Sequence, residues 1–531
     1  MAPVNLVLRL TSTVSSTFTL GGAMTTAPQT PTTAEQQAAL LARLDDLEPG
    51  KPHRRLMVMG GLGYTFDSFD GQLMGYALSA LIVIWAIPAE VSGWLLSSIF
   101  FGYLVGALVA GVLADRFGRK RLMLTSLLIF SLCSLLMGTA TTVPELFIWR
   151  ALAGIGIGAE TALIAPYISE FLPAKARGTF VARTVGFLAF GYILAGVIAP
   201  IVISPNPEIG WRIAAVVAAL PVVLLLWWRR RLPESPRFLL TRGRIDEATA
   251  VVEDFERRSG LDPAEHAAAV AARRASATGS EQQATAAADP AASPAGPGGD
   301  PSAAGAAGAA APDGAEPGGQ GRSKLLAPLA GLWRGRLART TIVIWVLWFI
   351  LTGVNYGFAS WLPALLITAK GFTLTGSFLF ALVTALAQLP GYYVASLLID
   401  RMERKWLLAI YAAGGTVSAV IVALAGSPSV LLLGCALLAA FTNGAAAVYY
   451  TYTAELYPTA VRATGVGVAS AVGRIGAISA PIAIGYLYAS IGFANVFLCL
   501  VAALVLAVVV VVVFGERTSG RRLNEEVPSG S

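Results

Sequence analysis

The chain of 531 residues is 56% apolar and only 13% charged, with a formal net charge of +7. A soluble protein carries about 25% charged residues. Here long uncharged runs alternate with short charged ones, which excludes a soluble globular protein and makes this an integral membrane protein.

The positive charge forms no basic stripe interleaved with aromatics, so it points to topology and not to nucleic acid. Cys133, Cys435 and Cys499 lie singly in apolar runs, with no CxxC or paired spacing, which predicts no disulfide and no metal site. His53 and His266, the two histidines, fall outside those runs and leave little for a histidine-based catalyst.

Residues 1–55 read as a polar tail, mostly disordered. Their opening, MAPVNLVLRLTSTVSSTFTLGGA, lacks a basic start and a sustained apolar core, so it makes a poor signal peptide, and Met24 is as good a native start as Met1. Runs of about 20 apolar residues, enough to cross a bilayer, follow near 56–84, 91–113, 122–141, 145–167, 179–203 and 210–228. A second set lies near 339–366, 374–399, 406–425, 429–452, 461–488 and 492–514. The predicted fold is an all-α membrane protein of twelve transmembrane helices, one six-helix bundle over 56–228 and another over 339–514. Residues 229–338 form a hydrophilic central loop. Its first part, PESPRFLLTRGRIDEATAVVEDFERRSG, alternates apolar and charged positions as a surface helix does, whereas Ser276 to Gly321 is Ala/Gly/Pro/Ser-rich and expected to be disordered. Residues 515–531 are a final tail.

Arg116, Arg119, Lys120 and Arg121 follow the second run, Lys175 and Arg177 the fourth, Arg401, Arg404 and Lys405 the eighth, and Arg462 the tenth. The alternate loops carry only Arg212 and Lys370. The positive-inside rule then makes both tails and the central loop cytoplasmic. DRFGRK at 115–120 recurs as DRMERK at 400–405, and EFLPAKAR at 170–177 recurs as ELYPTAVR at 455–462, both offset by 285 residues. Two motifs repeating at one spacing indicate a duplicated six-helix unit with pseudo-two-fold symmetry. In such parallel repeats the substrate site lies between the halves near midplane.

GVLADRFGRKR resembles the signature of the major facilitator superfamily between its second and third spans, G-x-x-x-D-R-x-G-R-R/K. The resemblance implies a cytoplasmic gate. Gly111 would let helices approach closely; Asp115, Arg116, Gly118 and Arg119, with Asp400, Arg401 and Arg404 in the second copy, would join cytoplasmic helix ends in one state and release them in the other. Ser396 and Glu403 replace the two glycines in the second copy, which implies a weaker gate there. Glu170, Arg177, Glu455 and Arg462, at the cytoplasmic edge, are expected to belong to the same ion-pair network.

PESPRF and the paired E-x-x-P-x-x-x-R loops resemble the sugar-porter and organic-ion branches. FDSFDG, GIGIGAE at 154–160, AQLPGYY at 387–393 and GRIGAISAP at 473–481 are more similar to metabolite–proton symporters of the synaptic-vesicle-2-like type, among them nicotinate and aromatic-acid carriers. No strand precedes GIGIGAE, so it is not a dinucleotide loop; Gly154 and Gly158 predict close helix packing.

Ionisable residues inside apolar runs are costly and are therefore functional candidates. Asp67 lies eleven residues past Leu56, roughly 16 Å along a helix, and Asp70 is one turn further. Unless paired, a carboxylate at such depth can load and release a proton. Asp67, Asp70 and, on the fourth run, Glu160 are the proton-coupling candidates. Arg150 either pairs with Asp70, locking two spans, or meets a substrate carboxylate, and Arg474 on the eleventh run could clamp one by two points. At the repeat offset Asp70 corresponds to Asn355, so Asn355, Tyr356, Gln388, Asn443 and Tyr449 are expected to line the substrate cavity.

These features predict a secondary active transporter working by alternating access, a monomer in the plasma (inner) membrane with no cofactor. It would couple uptake of a small organic acid, aromatic or nicotinate-like, to protons. The alternatives are a sugar or polyol symporter, a proton-coupled exporter, and a non-transporting receptor on the same fold. No nucleophile–base or metal constellation supports an enzyme.

Overall fold

The computed structural model describes residues 33–220, 223, 227–228, 231–287, 331–333, 335–399 and 401–518, which are helical apart from short connections. The expectations for residues 1–32, for most of the Ala/Gly/Pro-rich linker, for Asp400 and for residues 519–531 lie outside them. The first half comprises α1 (Thr33–Asp46), α2 (Lys51–Ile84), α3 (Ala89–Phe117), α4 (Arg119–Met137), α5 (Val143–Ser169), α6 (Ala174–Val185), α7 (Leu188–Val202) and α8 (Pro207–Ala219). The central loop holds α9 (Pro236–Thr241), α10 (Ile245–Ser259) and α11 (Pro263–Ala287). The second half comprises α12 (Arg336–Lys370), α13 (Leu374–Ile399), α14 (Arg404–Leu424), α15 (Pro428–Leu456) and α16 (Thr459–Val509).

Two local readings need correction. The stretch read as a mostly disordered tail contains α1, and α11 continues through 276–287, where disorder was expected. Alanine and glutamine dominate that part of α11, and both are good helix formers.

Among the described residues nine helical stretches are long and apolar enough to cross a bilayer. α2, with its internal carboxylates, and α8 add two. The 51-residue α16 is two spans, broken at Gly492, whose φ of 76° is open to glycine at little cost. The result is twelve spans in two halves of six.

The halves are built alike. In the first, α2 packs on α7, α3 on α5 and α4 on α5; in the second, α12 packs on α16, α13 on α15 and α14 on α15. The same helix pairs recur six spans later. Individual contacts recur as well. A methyl group on Gly106 would strike the Ile155 carbonyl, and 285 positions later one on Gly391 would strike that of Ala440. α3 and α5 interlock on both sides, because Gly154 and Gly158 lie against the carbonyls of Ile99 and Tyr103 while Gly102 lies against that of Ala151. Close backbone approach replaces the hydrophobic effect as the source of adhesion inside a membrane.

The end of the bundle that carries the basic loops is capped by α1 and α9–α11. The fully buried Glu256 of α10 accepts from Arg43 of α1 at 2.8 and 2.5 Å and lies 2.7 Å from a ring nitrogen of His266 on α11. The other ring nitrogen is 3.1 Å from Asp46, which Arg273 holds at 2.9 Å. PESPR docks against DRFGRK: Glu234 accepts from the backbone N–H of Lys120 at the start of α4, and Arg242 donates to the carbonyls of Asp115 and Arg116 at the end of α3.

Backbone crowding makes α3–α5 testable. Gly158→Ala is expected to lower the thermal midpoint of the purified protein, with a cost of about 1–3 kcal/mol as for other overpacked sites. Gly467→Ala, where a methyl group meets open space, is expected to leave it unchanged or raise it. Equal midpoints for the two variants would contradict the packing.

Candidate functional site

Asp67 and Asp70 are buried inside the first half, and the polar residues beside them bind α2 to its neighbours. Thr65 donates to the carbonyl of Phe187 (3.1 Å) and Ser68 to that of Leu188 (2.8 Å), where the chain turns between α6 and α7. Gly191 permits the approach, since a methyl group there would overlap Ser68.

Asp70 is fully enclosed. Ser134 of α4 donates to its Oδ1 at 2.5 Å, and Nη1 of Arg150 on α5 lies 3.7 Å from its Oδ2. The latter is an ion contact and too long for a hydrogen bond. Asp70 and Arg150 are 0% and 3% exposed, so each is the other's principal compensation. The geometry realises the pairing reading for Arg150, which lies against Asp70.

Asp67 accepts from Thr161 of α5 at 3.0 Å. Glu160, next along α5, is wholly buried, and neither of its oxygens has a hydrogen-bond partner. It occupies space left by Gly63, whose absent methyl group would come within 2.8 Å of Oε1. Asp67 and Glu160 lie close enough to act on each other's charge.

Arg474 of α16 stands apart from these carboxylates. It donates to the hydroxyls of Tyr103 on α3 (3.0 Å) and Tyr356 on α12 (3.3 Å), and its guanidinium sits 3.9 Å from the centroid of the Tyr103 ring. Tyr192 and Tyr450 are near enough to interact with it electrostatically. Among the described residues no carboxylate reaches it. The cation is half-buried, and its cage is drawn from both halves.

The amides form a neutral set beside it. Asn443 donates to the Asn355 side chain at 3.2 Å, and Thr442 and Tyr392 close the group at 3.4 and 3.3 Å. Gln388 is half-buried one turn before Tyr392 on α13. Tyr449, expected in the cavity, is packed instead against Trp348 at 4.7 Å and Thr352 at 3.4 Å. One residue along a helix turns the side chain by about 100°, and it is Tyr450 that faces Arg474.

The predicted gate residues form clamps within each half. Arg119 meets Glu170 at 3.3 Å, and 285 positions later Arg404 meets Glu455 at 3.0 Å. Arg177 and Arg462 donate to the carbonyls of Leu172 and Tyr457, also equivalent under that offset. Asp115 bonds Arg119 at 3.0 Å, while Arg116 and Arg401 are exposed. Gly111 corrects its expectation, because a methyl group there would meet nothing within 4 Å. Gly118 owes its place to a φ of 99° and to Glu234, which fills the space beside it.

The halves join at the opposite end. Gly93 lies against the Pro481 carbonyl, Gly485 against that of Ala89, and Ser97 donates to Ile478 at 2.7 Å. Tyr103, Tyr192, Tyr392, Tyr450, Ser134 and Thr161 escaped the reading of the sequence. A signal existed for the tyrosines: a phenol at mid-span is costly unless it faces something polar.

The profile of the family described as "Sugar (and other) transporter" matches residues 17–288, and that of the Major Facilitator Superfamily matches residues 377–530. The chain is 34% identical over 486 residues to the niacin transporter NiaP of Acinetobacter baylyi, covering 91% of this chain and 98% of that one. The chain belongs to the major facilitator superfamily. The benzoate transport protein of the same organism is 26% identical over 449 residues, 84% of this chain and 85% of that one. An inward open structure of the xylose transporter XylE from E. coli superposes with a TM-score of 0.65 at 18% identity, over 89% of this chain and 98% of that one, which shows the fold. This facilitator is accordingly a multi-pass membrane transporter and not an enzyme.

The buried pair gives a direct test. Arg150→Met is expected to cost roughly 3–5 kcal/mol by stranding Asp70, read as a fall in thermal midpoint. Adding Asp70→Asn is expected to recover most of the loss. Additive losses in the double variant would show that the two side chains do not compensate each other.

Proposed function

We propose that the protein takes up a small aromatic carboxylate of the nicotinate type together with protons. One observation carries this reading: among the described residues, a half-buried arginine between the halves is bonded only to phenol oxygens and walled by tyrosine rings. A planar anion can take two N–H groups of the guanidinium while its ring stacks on the phenols. The niacin and benzoate relatives bear names of aromatic acids, which agrees with this chemistry. Asp67, Asp70 and Glu160 are the proton carriers of the reading: Asp70 lies at ion-contact distance from Arg150 with one oxygen free of hydrogen bonds, and neither oxygen of Glu160 has a hydrogen-bond partner.

By the positive-inside rule the basic loops face the cytoplasm of the plasma (inner) membrane. The contacts between halves then lie on the outer side, and the described conformation faces inward. Uptake ends in this state, with substrate released to the cytoplasm. The intra-half pairs Arg119–Glu170 and Arg404–Glu455 hold each bundle rigid as it rocks, and the gate closes when the bundle ends meet. A neutral sugar or polyol is the second reading, favoured by the amide set of Asn355, Asn443 and Gln388.

Proteoliposomes with an acidic exterior are expected to accumulate radiolabelled nicotinate, with benzoate competing well and nicotinamide and xylose poorly. Arg474→Gln should weaken nicotinate binding about 10- to 100-fold, as for lost hydrogen bonds to a charged group. Asp70→Asn should abolish gradient-driven accumulation. Accumulation of xylose in place of nicotinate would reverse the choice of substrate, and accumulation indifferent to the pH gradient would remove proton coupling.

A further inference from the structure

α3 and α16 run antiparallel along a seam between the halves, and its rungs can be followed in order. Gly485 lies against the carbonyl of Ala89 and Gly93 against that of Pro481. Next, the Ser97 hydroxyl donates to the carbonyl of Ile478 at 2.7 Å. The fourth rung is at the site itself, where Nη2 of Arg474 donates to the Tyr103 hydroxyl at 3.0 Å. From Ala89 to Tyr103 the seam covers about 21 Å of helix, from the end opposite the basic loops to the Arg474 cage.

The two phenols bonded to Arg474 differ in which half carries them. Tyr356, which accepts from Nη1 at 3.3 Å, belongs to α12. That helix is interlocked with α16, because Gly476 lies against the Phe349 carbonyl. Tyr356 therefore travels with the arginine. Tyr103 belongs to the first half, and its own carbonyl is the one against which Gly158 of α5 lies. Its ring is 3.9 Å from the guanidinium, so both its face and its hydroxyl are committed to a cation of the other half. This rung exists only while α3 and α16 are together.

We infer that Tyr103 is a competitor of the substrate for Arg474, carried by the seam and seated on the cation as the carrier empties to the cytoplasm. This rests on the carboxylate reading of Arg474 given above. The three outer rungs consist of backbone and one serine hydroxyl and do not involve the arginine, so they can close over a bound anion. The fourth cannot, since a carboxylate oxygen and the phenol oxygen need the same N–H group. As the anion leaves, the Tyr103 hydroxyl takes over that N–H, and the bond it forms offsets part of the bond lost on release. Parting the seam withdraws the phenol, so an anion arriving from outside meets Nη2 free. Anion occupancy and closure of the fourth rung oppose each other, and each weakens the other in equal measure.

Titration calorimetry of the purified full-length protein with nicotinate tests this. Tyr103→Phe keeps the ring over Arg474 and removes the competing oxygen, so it should bind nicotinate about 10- to 100-fold more tightly than the wild type, the span of a hydrogen bond to a charged group. In proteoliposomes its KM and its maximal rate of uptake should both fall, because release is slowed. Ser97→Ala removes a bond of the same seam about 9 Å along α3 from Tyr103, and should bind within about twofold of the wild type. With fluorotyrosine in place of Tyr103, added nicotinate should move the fluorine resonance. Unchanged or weaker binding in Tyr103→Phe, or an unmoved resonance, overturns the competition and leaves the carboxylate reading intact. Equal tightening in Ser97→Ala also overturns it, because loosening the seam would then suffice. No binding of nicotinate or benzoate to the wild type overturns the carboxylate reading and the competition with it.

Discussion

An ionised side chain inside a bilayer has no water to turn to, so the protein must supply its counter-charge or its hydrogen bonds. Five ionisable side chains govern the middle of this molecule: Asp67, Asp70, Arg150, Glu160 and Arg474. Four lie in the first half and one in the second. Asp70 and Arg150 compensate each other within one bundle, which accounts for their near-complete burial. The remaining three are incompletely compensated, with two carboxyls on one side of the interface and a guanidinium among phenols on the other. In the proposed function the arginine takes an anion and the carboxyls take protons. Those are the two species that a proton–acid symporter carries.

The rest of the fold keeps that imbalance in place while the halves move. Each bundle is drawn together by glycines lying on carbonyls, and each carries the same arginine–glutamate clamp at its basic end. Packing of this kind resists bending because a backbone carbonyl cannot yield as a flexible side chain can. Contact between the bundles at the far end is also close to the backbone, through Gly93 and Gly485. Tyr103 belongs to α3, which also carries Gly93, so its bond to Arg474 and the contact of Gly93 with Pro481 fall on one helix pair.

Much of this was legible in the sequence. Length and hydropathy gave the spans, since crossing a bilayer requires a set number of apolar residues. The 285-residue offset gave the duplication, and the same offset maps Gly106–Ile155 onto Gly391–Ala440 and Arg119–Glu170 onto Arg404–Glu455. The carboxylates and arginines were legible because charge is rare enough in apolar helices for each instance to carry meaning. The helical start of the tail was missed because α1 is polar and is fixed by partners more than 200 positions away, Glu256 among them. The phenols were missed because tyrosine is unremarkable at a membrane edge, and the cation they face is seen only when helices are in place.

The sequence by itself determined how many times the chain crosses the membrane, that it does so twice over in the same manner, and which ionisable groups are carried inside. These follow from local composition and from repetition along one dimension. Only the tertiary structure decided which groups meet. It set Arg150 against Asp70, turned Tyr449 into packing and Tyr450 toward Arg474, made the gate arginines clamps within each half, and brought Tyr103 of one half onto the arginine of the other. Pairings across helices depend on the rotation of each helix and on which glycines let two backbones touch. Neither is expressed in any single stretch of sequence.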